Sequence, residues 1–412
     1  MYLGELADVI CGPFGSAITN KDYQESGIPL IRITNISRDG HMDYSDIIYI
    51  SEELGNSLSR TQVSAGDIVI SQRGSLGQCA IIDDTFPKLN ISANIIAIKN
   101  PKGISAEFIR DYILSVVGQT LLERASSGQV QQKITTQDIA NLLIPTKCEE
   151  SKLTHIIESG YATYRSKIER ADKLLQGFEF EISKTYNLSC SQNSTLCYAV
   201  KLGQIDGVID AKRYASERKL TTDFIVSDIC EILDEKVNVA RFGQQIIDWI
   251  RIDDLPNQPL DIEEIRTQPA NEVEGTFFEI EEGDILVARL GPTILNRKIV
   301  MVRSLARTTI ASAEFLVLRR KKGYDAEAVM AVLKTEYYRD LMYSHARGST
   351  PSRYRLNKED MLKLPFPDIS EKQEQIAAKA NDIRNQVRSM RIQAEEDWNA
   401  AKEQFEKELL GE

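Results

Sequence analysis

Ala65-Gly66-Asp67-Ile68-Val69-Ile70-Ser71-Gln72-Arg73 and Glu282-Gly283-Asp284-Ile285-Leu286-Val287-Ala288-Arg289 decide how this chain of 412 residues is read. In each, a Gly-Asp turn leads into a run of β-branched and apolar residues, the pattern of a buried strand. The two stretches lie about 220 residues apart, and further matches flank them in the same order and at nearly the same offset. Upstream, residues 3–10 match residues 226–233, and Leu30-Ile31-Arg32-Ile33 matches Trp249-Ile250-Arg251-Ile252. Downstream, Ile91-Ser92-Ala93 matches Ala311-Ser312-Ala313. Ser126-Ser127-Gly128, Ile134, Asp138 and Leu143-Ile144-Pro145 match Ala346-Arg347-Gly348, Leu356, Asp360 and Pro365-Phe366-Pro367. The chain therefore carries a domain-sized duplication. Each copy is an α+β unit of short strands that passes into a helix-like stretch, residues 106–123 and 326–343.

A long polar segment follows each copy. Leu153, Ile157, Gly160, Tyr164, Ile168, Ala171, Leu175, Phe178 and Ile182 recur at three- and four-residue steps, as do Ile376, Ala380, Ile383, Val387, Met390, Ala394, Trp398, Ala401, Phe405 and Leu409. The spacing predicts two coiled-coil helices, over about residues 149–184 and 370–410. If the ends of the second globule lie close together, the helices pair antiparallel and separate two pseudo-symmetric domains. The expected order is a first domain over residues 1–147, a central spacer helix over 148–186, a linker and second domain over 187–368, and a C-terminal spacer helix over 369–412. The alternative, in which each helix only caps its own domain, stays open. Residues 187–195 read as a polar linker, and Asp210-Ala211-Lys212-Arg213-Tyr214 has no equivalent before the first copy.

Hydrophobic residues make up 42% and charged residues 27%, the balance of an ordinary globular protein. No apolar run approaches the length of a membrane span, and Met1-Tyr2-Leu3-Gly4-Glu5 does not open a signal peptide, so a cytoplasmic protein with no membrane partner is expected. The six cysteines form no C-x-x-C pair and the three histidines are scattered, which argues against a metal site. No phosphate-binding loop, nucleophile elbow, H-E-x-x-H motif or amino-methyltransferase motif is present. Gly74-Ser75-Leu76-Gly77 reads as a turn. The chain is expected to hold no catalytic residues and no cofactor.

The net charge of -11 argues against wrapping nucleic acid by bulk electrostatics. Charge is local instead: between Arg289 and Arg355 there are 14 Lys and Arg against five acidic residues. Within that run, Arg347-Gly348-Ser349-Thr350-Pro351-Ser352-Arg353-Tyr354-Arg355 is a turn-forming loop rich in planar donors, suited to guanine O6 and N7. The first copy has Ser126-Ser127-Gly128-Gln129-Val130-Gln131-Gln132-Lys133 there, and glutamine suits adenine N6 and N7. Matched loops with different donors are what two readers of two short sequences need.

With the Gly-Asp strands, the Gly128 and Gly348 loops and Pro367-Asp368-Ile369-Ser370-Glu371-Lys372-Gln373-Glu374-Gln375-Ile376 before the last helix, nearly the whole chain resembles the specificity subunits of type I restriction-modification enzymes. The resemblance implies two target recognition domains held apart by two antiparallel helices, each domain reading half of a bipartite, asymmetric site in double-stranded DNA. It implies a non-catalytic chain. Two adenine methyltransferase subunits would sit on the spacer helices, and a nuclease/translocase subunit would join in the full complex. The residues expected at the DNA are Gln72, Arg73, Ser75, Gln129, Gln131, Gln132 and Lys133 in the first copy, and Arg289, Arg347, Ser349, Arg353, Tyr354 and Arg355 in the second. Arg32 and Arg251, in matched places, are as well explained by structural ion pairs. The competing reading is a coiled-coil protein–protein scaffold with two α+β interaction domains.

Overall fold

Both Gly-Asp turns form. Gly66 and Gly283 take φ of +89° and +88°, a left-handed conformation that favours glycine. The buried carboxylates behind them accept main-chain N–H groups, Asp67 from Ser64 at 3.0 Å and Asp284 from Glu281 at 2.8 Å. Gly66 N donates to Ile82 O and Gly283 N to Val302 O, which fixes each turn against the next strand. The strands that follow, Ile68–Ser71 and Ile285–Ala288, are buried at every position. Each Ile, Leu or Val so buried contributes about 1.5–3 kcal/mol.

The computed structural model describes residues 1–37, 39–73, 77–126, 133–192, 216–218, 220, 222–255 and 265–411, without the side chains of 190–192, 216–218 and 351. Asp210–Tyr214 and the last part of the expected linker, residues 193–195, lie outside the described residues. The chain divides into two units, Met1–Ser166 with Gln393–Glu412, and Lys167–Ile392. In the first, an antiparallel sheet runs in the order Asp8–Cys11, Ile95–Lys99, Ile68–Ser71, Cys79–Ile81. A second sheet has the order Ile48–Ile50, Ile28–Ile31, Leu89–Ile91, Gln62–Val63, with Leu30 and Asn90 in its one parallel pairing.

The second unit repeats this plan. Its first sheet is Cys230–Ile232, Phe315–Arg320, Ile285–Ala288, Ile299–Met301. Its second is Arg266–Pro269, Ile246–Ile250, Thr309–Ala311, Thr276–Glu279, again with one parallel pairing, Asp248 with Thr309, and with Val237–Asn238 added at the edge. The long-range closures repeat as well: Leu3 N donates to Leu142 O where Val226 N donates to Leu364 O, and Ser92 N to Ile31 O where Ser312 N donates to Ile250 O. The duplication inferred from sequence is a duplication of topology.

The helix-like stretches differ from expectation. Each is two helices, Ala106–Leu114 and Val116–Ala125 in one unit, Ala326–Leu333 and Glu336–His345 in the other. Ser115 and Thr335 sit at the breaks in extended backbone, and their hydroxyls donate to the carbonyls of Tyr112 and Val332. Such a hydroxyl competes with the helical main-chain bonds, and Ser115 also accepts from Gly118 N to start the next helix.

The long helices span Glu150–Thr185 and Gln373–Leu410. In the first unit their segments run antiparallel: Lys152 pairs with Glu408 at 2.6 Å, while Tyr161 and Tyr164 pack on Trp398 with ring centroids 5.8 and 6.5 Å apart. They are antiparallel in the second unit too, where Arg391 pairs with Asp172 at 3.1 Å, Lys379 pairs with Glu181, and Ala171, Ile383 and Val387 form the seam. Each unit is closed by the last turns of one of these helices. Phe405 packs beside Phe108 in the first core, and Glu406 accepts from Val116 N at 2.6 Å, capping the helix that starts there. In the second, Ile182 enters the core and Glu179 accepts from Glu336 N and pairs with Arg297 at 2.7 Å. Among the described residues no helix is long and apolar enough to cross a membrane.

Candidate nucleic-acid interface

The strand after each Gly-Asp turn delivers its next residue to an equivalent junction. Gln72 N donates to Asn94 O at 2.8 Å and Gln72 O accepts from Ile134 N at 3.2 Å; Arg289 N donates to Glu314 O at 3.3 Å and Arg289 O accepts from Leu356 N at 2.9 Å. The end of a core strand, the turn before its neighbour and the segment leading to a short helix therefore converge in both units, with glutamine at the junction in one and arginine in the other. Gln72 is only 5% exposed, and its amide donates to Cys11 Sγ at 3.9 Å. Arg289 is half-buried, and its Nε has no hydrogen-bond partner among the described residues. Arg73 is exposed and Lys133 half-buried. Ser75, Gln129, Gln131 and Gln132 lie outside the described residues.

In the second unit, Arg347 and Arg355 each donate a main-chain N–H to the other's carbonyl, at 3.0 and 2.8 Å, closing a loop over residues 348–354. Their side chains are engaged within the unit. Arg347 pairs with the buried Asp360 at 2.8 Å, and Arg355 makes two bonds of 3.1 Å to the Glu314 carboxylate. Tyr354 is half-buried against Tyr343, with ring centroids 5.9 Å apart. Ser349 and Arg353 are exposed, and the Arg353 guanidinium makes no hydrogen bond or ion pair among the described residues. Sequence reasoning placed these residues on one loop, and they are on one loop. It did not foresee that two of its three arginines hold the loop in place.

Ion pairing extends through the basic run. Arg303 pairs with Glu327, Arg307 with Asp248, Arg319 with Asp284 at 2.8 Å and Arg339 with Asp340 at 2.8 Å. Much of the local positive excess is thus structural, and among the described residues Arg289, Lys322 and Arg353 are the members of the run whose side chains make no hydrogen bond or ion pair. Arg32 and Arg251 are structural in the same way, paired with Asp46 at 2.8 Å and Asp254 at 3.4 Å.

Two other clusters carry charge. In the first unit His41 stacks on Tyr161 with ring centroids 3.6 Å apart, in a cleft it shares with Glu107, Arg110, Glu158 and Arg165. Burial, then the Arg110 charge, holds this imidazole below its ordinary range. Next to Arg110, burial pushes the Asp111 carboxyl up to about 6 against the pull of that guanidinium. In the second unit a cavity of about 260 Å³ is lined by Phe178, Glu179, Arg297, Glu327 and Arg384. Its charges are mutually satisfied, Glu327 accepting from Arg384 at 2.7 Å and from Arg303. The described residues include no group of three or more His, Cys, Asp or Glu placed to hold a metal ion.

Sequence reasoning missed Phe14. It sits between glycines in Gly12-Pro13-Phe14-Gly15, in the loop that leaves Asp8–Cys11 beside Gln72, and 91% of it is exposed. The available signal was an aromatic residue set among turn-formers, where core strands supply no reason for it.

No protein-family model matches the chain. Over 152 residues, 36% of its length, it is 27% identical to the type I restriction enzyme EcoBI specificity subunit of Escherichia coli, and the match spans 31% of that relative. Solved structures similar over 99% of this chain and 95% of theirs include one from a study of complex assembly and conformational transition in the type I R-M system (TM-score 0.48, 14% identity). A second is a type I restriction-modification S subunit from M. genitalium (TM-score 0.38, 12% identity). The chain resembles the type I restriction-modification specificity subunits, as its motifs implied.

Proposed function

We propose that this chain, similar in part to a type I restriction specificity subunit, is the DNA-recognition subunit of such a system. In this reading each unit addresses one half of a bipartite, asymmetric site in double-stranded DNA. The chain is not itself catalytic. It directs two adenine methyltransferase subunits seated on the long helices, and a nuclease/translocase subunit joins them for cleavage. The observation that carries the reading is the duplicated scaffold, whose equivalent junctions lead to unlike residues: Gln72, buried with its amide on Cys11, and the exposed Arg73 in one unit, and Arg289 with the loop that bears the exposed Arg353 in the other. Arginine pairs with guanine in the major groove, and the exposed Arg73 and Arg353 stand at different places in the two copies, so the units suit unlike half-sites. Their contacts position and discriminate through a few side chains, which fits a chain whose net charge of -11 offers little bulk attraction for a polyanion.

Methylome sequencing of the host with and without the gene tests this directly. A two-part adenine-methylated motif that disappears with the gene is the expected result, and an unchanged methylome would overturn it. The engaged arginines of residues 289–355 favour the scaffold reading over any DNA-binder that works by charge alone. Under that reading, partner capture survives nuclease treatment and no methylated motif depends on the chain.

A further inference from the structure

We propose that Phe14 is a wedge that the first unit inserts against a base step of the half-site it reads. The inference rests on the DNA-recognition reading and names a contact that reading does not require. Phe14 is the most exposed of the large hydrophobic side chains among the described residues. Single apolar residues on a surface are common, but most keep part of their area covered. Here the loop is held firmly while its tip is left bare.

One root of the loop is fixed against the junction. Gly12 N donates to Ile95 O at 2.8 Å, and a Cβ at Gly12 would stand 2.2 Å from Ser92 O, so only glycine allows that approach. Cys11, just before it, accepts from the Gln72 amide. At the other root Ile18 packs on Ile28, Leu30 and Ile50, and the Asp22 carboxylate accepts from Thr19 N and Oγ1 at 2.7 and 2.8 Å. Between them Ala17 N donates to Phe14 O at 2.8 Å, closing a turn with the ring at its head. The backbone of the turn is already ordered, so chiefly the ring's own rotamers remain to be fixed when it meets a partner.

The chemistry around it favours nucleic acid. In a chain with an excess of acids, residues 12–20 include no Asp or Glu, so a phosphate backbone can approach. The root adjoins Gln72 and Asn94, which places the ring at the end of the unit that carries Arg73. Apolar wedges of this kind enter a base step and partly unstack it. The second unit differs: after Cys230–Ile232 come Leu233, Asp234, Glu235 and Lys236, two of them acidic, and the Phe242 of that connection is half-buried under the Arg241 guanidinium, so among its described residues the connection offers no bare ring. The wedge therefore acts on one half-site only.

The test uses the full chain assembled with its methyltransferase subunits and a duplex carrying the site found by methylome sequencing. 2-Aminopurine replaces one base at a time across both halves. The expected result is a fluorescence rise at one step, in the half that is not relaxed by Arg353→Ala. Phe14→Ala should abolish the rise and weaken duplex binding at least fivefold, the scale of one base–aromatic stack, while Phe14→Trp retains both. Because the side chain is so exposed, the melting temperature of Phe14→Ala should match that of the parent. An unchanged signal or unchanged affinity in Phe14→Ala would overturn the proposal. So would loss of the methyltransferase subunits from this variant without DNA, which would make Phe14 a protein contact. Failure of the parent complex to bind any specific duplex is a separate outcome, seen before a variant is made, and it defeats the recognition reading itself.

Discussion

Arg353 and Arg355 sit two residues apart and do different work. Arg355 makes its bidentate bond to Glu314, whereas Arg353 projects from the same loop with its donors uncommitted among the described residues. Arg353→Ala should therefore relax recognition in one half-site, at a cost of about 1–3 kcal/mol if the contact is bidentate to guanine. Competition binding on single-base variants of the site measures it, and an equal loss on every sequence would identify a phosphate contact instead. His41 gives a second prediction. Its folded-state pKa lies below the usual 6.5, from burial first and Arg110 second, with Arg165 adding to the lowering and Asp39 opposing it. As pH falls through 6.5 the unfolded chain binds a proton that the folded one resists, so the stabilisation is complete above that pH and is lost on acidification. His41→Phe keeps a ring on Tyr161 without the titration. Its melting temperature should gain on the parent between pH 7.5 and 5.5, and a constant difference would refute the assignment. Asp111, whose raised carboxyl acts in the opposite sense between the usual carboxylate range and about 6, is common to both proteins and cancels.

The long helices are structural parts of the units they touch. Phe405, 1% exposed, lies against Phe108, whereas Phe180 on the other helix is 68% exposed. Phe405→Ala should cost about 3–5 kcal/mol, as large-to-small changes in cores do, while Phe180→Ala stays within about 0.5 kcal/mol, as is usual for surface sites. Denaturant midpoints of the two variants separate these outcomes. Both helices were legible in the sequence because the apolar stripe is long and regular, and the Gly-Asp strands because burial on both faces leaves an unbroken apolar run. The breaks at Ser115 and Thr335 were not, since a single hydroxyl within a helical pattern usually sits on a surface and here it turns the chain. The burial of Gln72 was equally hidden: its main chain is placed by Asn94 and Ile134 and its side-chain amide by Cys11, none of them adjacent in sequence.

For the whole molecule, the proposed division of labour predicts that the half-sites and their spacing can be changed separately. Removing seven residues from each long helix should alter the preferred gap and leave both half-sites as they were, which methylome sequencing of the altered host would show. A gap that does not move would mean the helices do not set it. The duplicated topology made two like units legible, while the bases each would address under the proposed function rest on individual donors that pattern alone does not order. The bare ring at the head of the Gly12–Ile18 turn has a practical consequence too: it offers an aromatic cleavage site in accessible backbone. Brief digestion with chymotrypsin should nick the native chain after Phe14 early, and bound duplex should shield that bond, giving a footprint of occupancy that needs no label.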